Sequence, residues 1–135
     1  MTWRRRNERS EAGFTLVELL VVLAILGLLV AIATPQVIKY LGRAKVSTAQ
    51  IQIDGLKTAL DMFLVDVGRY PTQQEGLEAL VQNPGTMANW HGPYVKATSV
   101  PVDPWGQPYQ YRIPGQNGND FDLYTLNGNN TVANQ

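Results

Sequence analysis

Gly13-Phe14-Thr15-Leu16-Val17-Glu18 opens a run that stays apolar through Ala33, and its reading decides the fold. Glu18 is the only ionisable side chain between Phe14 and Ala33. Those twenty residues are enough to cross the hydrocarbon core of a bilayer as a helix. A carboxylate inside such a span is costly and asks for a functional reason. The stretch ahead of it has the opposite character. Arg4, Arg5, Arg6 and Arg9 stand against Glu8 and Glu11, a net of +2 over residues 1–13.

A basic start followed by an apolar run also marks a secretory signal. An ordinary signal has a core of roughly 7–15 residues closed by a small-residue cleavage site. Here the run is longer, and Thr34-Pro35-Gln36-Val37-Ile38-Lys39-Tyr40 continues the helical pattern. The span is therefore expected to stay in the mature protein. The arginines precede the first span, and Lys39, Arg43 and Lys45 follow it. That favours an amino terminus inside and a carboxy terminus outside. A plain signal anchor explains the apolar run but neither Glu18 nor the glycine at the boundary. A carboxylate near the start of a span can also snorkel to the headgroups, a second reading of Glu18.

Past Pro35 the pattern remains helical. Ala49, Ile53, Leu56, Leu60, Phe63 and Val67 step by three or four, one apolar stripe on a helix. Gln50, Asp54, Lys57 and Asp61 mark another face, where Lys57 can reach both aspartates. Gly68 is placed to cap the helix and Pro71 bars its continuation. The spacing predicts one helix over 14–67, bent or loosened at Pro35 and Gly42.

Thr72-Gln73-Gln74-Glu75 has the form of a capping box, predicting a short helix that buries Leu77, Leu80 and Val81. Residues 84–108 are rich in proline and glycine and read as an ordered, irregular loop. Residues 109–113 and 121–126 read as strands, with 115–119 turning between them. The tail from Asn127-Gly128-Asn129-Asn130 is turn-rich and reads as poorly ordered.

The chemistry-bearing residues are sparse. The chain carries no cysteine, which removes disulfides, thiolate catalysis and cysteine zinc sites. Its one histidine, His91, sits in a Trp-His-Gly-Pro loop and reads as solvated or structural. Formal net charge is zero, which gives no sign of a nucleic-acid partner. No phosphate loop, zinc spacing or nucleophile-base motif is present, and no catalytic residue is assigned.

The Gly13-to-Glu18 motif followed by an apolar run resembles the type IV pilin-like leader. The resemblance includes phenylalanine after the glycine and glutamate at the fifth mature position. Pro35 would be mature residue twenty-two, a common place for proline in these proteins. The blocks Gly68-Arg69-Tyr70-Pro71-Thr72-Gln73-Gln74-Glu75-Gly76-Leu77 and Asp103-Pro104-Trp105-Gly106 resemble the major pseudopilin family of type II secretion. So do Pro114-Gly115-Gln116-Asn117-Gly118 and the strand that follows.

The resemblance implies an α+β, type IV pilin-like fold: a long amino-terminal helix packed on a small antiparallel sheet. It divides the chain into a cleaved cytoplasmic leader at 1–13, a transmembrane segment at 14–34 and a periplasmic domain at 35–135. It implies cleavage by prepilin peptidase between Gly13 and Phe14, N-methylation of Phe14, and a polar contact of Glu18 with the freed Phe14 amine of a neighbouring copy. The implied partners are other copies of the chain, minor pseudopilins and an inner-membrane assembly platform. The product is a periplasmic filament that serves export of folded proteins, in a single-pass inner-membrane protein. Family members usually hold calcium in an acidic loop after the last strand pair. Here residues 123–135 contain no carboxylate, and only Asp120 or Asp122 lies near. A type IV pilus subunit and a signal-anchored periplasmic protein are the alternatives. The former usually carries a carboxy-terminal cysteine pair, which this sequence lacks.

Overall fold

A computed structural model describes residues 13–85, 87–127 and 130–133. The expectations placed on residues 1–12 and on Gly128 and Asn129 fall outside them. The chain divides into two units, Met1–Tyr40 and Leu41–Gln135.

Helix α1 runs over Leu16–Val67 and is unbroken through Pro35 and Gly42. Pro35 has no N–H, so the carbonyl of Ala31 loses its intrahelical partner. One residue earlier the Thr34 hydroxyl donates to the Val30 carbonyl at 2.7 Å. In the first unit, the apolar side chains of α1 are exposed on every face. This is the one helix, among the described residues, that is long and apolar enough to cross a membrane.

In the second unit the stripe meets its partners. Ala49, Ile53, Leu56, Ala59, Leu60 and Phe63 are buried, and Val67 is partly so. They share one core with Leu77, Ala79, Leu80, Tyr109, Tyr111, Phe121 and Leu123. The helix ends as the sequence predicts. Gly68 takes φ 85°, where a side chain is strained, and its N–H donates to the Leu64 carbonyl at 2.8 Å. On the polar face the aspartates also accept hydrogen bonds from uncharged neighbours. Asp54 accepts from Gln50 at 3.2 Å and Asp61 from the Tyr70 hydroxyl at 3.0 Å.

The Thr72 box forms. Thr72 Oγ1 accepts from Glu75 N at 3.2 Å, and Glu75 Oε2 accepts from Thr72 N at 2.8 Å. It caps a turn, and the helix beyond is a single 3₁₀ turn, Leu77–Leu80. Val81, expected in the core, is only partly buried, and Ala79 takes that place. A 3₁₀ turn advances 120° per residue rather than 100°, which changes the inward set.

The sheet has three antiparallel strands in the order β1-β2-β3: β1 Gln110–Arg112, β2 Asp122–Asn127 and β3 Asn130–Ala133. Tyr111 pairs with Leu123, and Leu126 with Thr131. Strand β1 is shorter than predicted by one residue at each end. Strand β3 corrects the expectation of a poorly ordered tail. Its four residues pair with β2 from Tyr124↔Ala133 to Asn127↔Asn130.

The long loop is ordered by side chains. Trp90 Nε1 donates to the Ala79 carbonyl and the Tyr94 N–H to that of Leu80, both at 2.8 Å. The Tyr94 ring packs edge-on against Phe63 and Trp90. Its hydroxyl donates to Asp66 at 2.8 Å and accepts from the His91 N–H at 3.0 Å. His91 lies on the surface, its Nδ1 2.8 Å from the Asn89 carbonyl. The Gln73 side chain reaches the outer edge of β1. Its Nε2 donates to the Tyr111 carbonyl at 2.8 Å, and its Oε1 accepts from Ile113 N at 3.0 Å. The buried Tyr111 hydroxyl donates to the Pro71 carbonyl at 2.8 Å, and burial pushes its pKa upward.

Candidate functional site at the start of the helix

A helix leaves its first four N–H groups without intrahelical acceptors. At α1 this need is met in part by a second Thr-x-x-Glu pattern, which the sequence reading passed over. Thr15 Oγ1 accepts from Glu18 N at 3.2 Å. Glu18 Oε2 accepts from Thr15 N at 2.8 Å and from the Thr15 hydroxyl at 3.2 Å. This is a capping box, with Thr15 at the cap and Glu18 three residues on. Its signal was present in the same letters that were recognised at Thr72.

The capping box fixes the start of the helix at Leu16 rather than Phe14, leaving Gly13, Phe14 and Thr15 outside it. The carboxylate is also held where the positive end of the helix dipole favours it. Phe14 is 84% exposed. Phe14, Val17, Glu18, Val21 and Val22 line a shallow groove that is apolar but for the carboxylate. Within one chain the structure thus brings Thr15, not Phe14, to Glu18. Pro35 lies seventeen residues further along the same helix and takes no part in the constellation.

A Cβ built on Gly13 meets nothing within 4 Å. The fold of this chain places no steric demand on a glycine there. The second unit offers no comparable chemical cluster. Among the described residues, no three acidic or histidine side chains gather as metal ligands. The surface groove that holds Asp61, Asp66, His91 and Tyr94 also includes Met62 and Val65.

Known protein families match the chain in two parts. Residues 9–34 match the prokaryotic N-terminal methylation motif. Residues 36–134 match the type II secretion system protein G family. A type II secretion system core protein G of Pseudomonas aeruginosa is 47% identical over 124 residues, covering 89% of this chain and 85% of that protein. The Vibrio cholerae protein of the same description is 40% identical over 124 residues, with 90% and 83% covered. The crystal structure of the major pseudopilin from the type 2 secretion system of enterohaemorrhagic Escherichia coli superposes with a TM-score of 0.59 at 30% identity. It covers 72% of this chain and 91% of that one. With an amino-terminal methylation motif, a long apolar helix and a small sheet behind it, the chain belongs to the type II secretion system protein G family, the major pseudopilins.

Proposed function

We propose that this chain is the main structural subunit of a type II secretion pseudopilus. A peptidase cuts it between Gly13 and Phe14 and methylates the new Phe14 amine. The mature chain, anchored with its carboxy terminus on the periplasmic side, then assembles with copies of itself through α1. Minor pseudopilins and an inner-membrane platform are its partners in building a filament that serves protein export. Its role is mechanical, with no catalytic step.

The observation that carries this proposal is the surface of α1 from Leu16 to Leu41. It is a helix exposed on all sides, with one carboxylate at its head. Lipid covers such a surface first, and like helices can cover it later. Gly13 fits the cut: it lets backbone enter a protease site, and nothing in the subunit itself requires it. Cleavage creates an ammonium at Phe14, and an unpaired ammonium beside an apolar core is costly. Glu18 is the carboxylate available to compensate it, on a neighbouring copy.

The capping box makes the test sharp, because glutamine serves the same cap as glutamate. Glu18→Gln keeps the local hydrogen bonds and removes the charge. We expect this variant to be cut and methylated normally, yet to form no filaments when the secretion genes are expressed together. Filaments at wild-type yield from Glu18→Gln would remove the charge-pairing role and leave the capping role alone.

A further inference from the structure

We infer that this domain closes its sheet with a third paired strand and two carboxylate staples of its own, and folds without the calcium ion that its family resemblance implies. Calcium takes six to eight oxygen ligands, usually including several carboxylates. The segment where the resemblance places the ion follows β2. That segment is spent on the β2–β3 ladder, paired at four positions, with only two residues between Asn127 and Asn130. It carries no acidic side chain from residue 123 onward.

The acids nearest to it are already committed. Asp103 is 3% exposed. Its Oδ1 accepts from the N–H groups of Trp105 at 3.0 Å and Gln107 at 2.7 Å. Its Oδ2 accepts from the hydroxyl of Thr125, which is fully buried on β2. Both oxygens are thus spent in tying the 103–107 loop to the central strand. Burial alone would raise the Asp103 pKa, but the bonds from Thr125, Gln107 and Trp105 outweigh it and hold the group below the ordinary value. Asp122 accepts from Arg112 Nε at 3.2 Å, from Arg112 Nη2, and from Gln116 N at 2.9 Å. That fixes the turn between β1 and β2. Asp120 is exposed, and one carboxylate does not make a calcium site.

The experiment is thermal unfolding of the full-length protein in detergent. It is followed by tryptophan fluorescence, to which Trp90 and Trp105 contribute from the domain and Trp3 from outside it, in chelator and in about 10 mM calcium. That concentration is roughly ten- to a hundredfold above the dissociation constants of extracellular calcium modules, so a real site would raise the midpoint by several degrees. We expect the two midpoints to agree within about one degree, the size of a negligible linkage effect. Thr125→Val should lower both midpoints equally by several degrees, and Thr125→Ser, which keeps the hydroxyl, should recover most of the loss. A calcium-dependent rise of several degrees in the wild type would overturn the metal-free closure. A Thr125→Val midpoint equal to wild type would overturn the staple. These melts read the domain and not the filament, so either failure leaves the assembly proposal standing.

Discussion

Glu18 and Glu75 stand at the same place in the same four-residue pattern, yet the two boxes end differently. Glu75 also takes both guanidinium nitrogens of Arg69, at 2.7 and 2.9 Å. That pairing, with the Thr72 bonds, brings its pKa down from 4.5 to about 2. A carboxyl whose folded value is depressed adds stability above its unfolded value and loses it as the pH falls through the folded one. The contribution should therefore fade between pH 4.5 and about 2. We predict that the wild-type midpoint drops more steeply over that window than the midpoint of Glu75→Gln. Raised salt should narrow the gap, because Arg69 is 43% exposed and the pair is screened. Parallel melts at stepped pH check this. The sequence showed Glu18 as an anomaly, because a charge in an apolar run is visible in letters. It did not show Thr15 as the residue that holds Glu18, because that Thr-x-x-Glu pattern is set in an apolar run whose hydropathy dominates the local pattern. Asp103 was legible as part of a family block but not as a buried staple. Its partner Thr125 is 22 residues away, and only the fold brings them together.

The stripe on the second half of α1 was legible but for Ala59, since its three-and-four spacing is a direct record of which face is covered. Truncating that face should be expensive. Leu60→Ala should cost about 2–5 kcal/mol and Phe63→Ala about 3–5 kcal/mol in chemical unfolding. Val65 is on the same helix but 82% exposed, and Val65→Ser should fall within about 0.5 kcal/mol of wild type. Equal losses at Val65 and Leu60 would mean that the assigned inward face is wrong. The sheet was less legible. The spacing placed β1 and β2 within a residue or two, but β3 was hidden among asparagines. Gly128-Asn129 between two paired runs is a recognised hairpin linker, and Thr131-Val132 are strand formers. Four residues are too few for alternation to stand out. What defines them is the ladder to β2, which no local pattern contains.

At the scale of the molecule, an apolar surface of this length is tolerable only if something always covers it. Mass spectrometry of protein extracted from membranes that contain the peptidase should find a chain that begins at methylated Phe14. A bulky substitution, Gly13→Leu, should leave the uncut precursor in the membrane. A wild-type chain that still begins at Met1 under those conditions would sink the proposed processing. Exposed surfaces other than the apolar helix also bear on self-association. A bare strand edge is one such surface, a template on which a foreign strand can add. The amide of Gln73 fills that template on β1 as a peptide group would, one donor and one acceptor in register. A single side chain therefore acts as a stopper against strand addition at the β1 edge. We predict that Gln73→Ala is processed normally but deposits dye-binding, β-rich aggregates in concentrated stocks where the wild type stays clear.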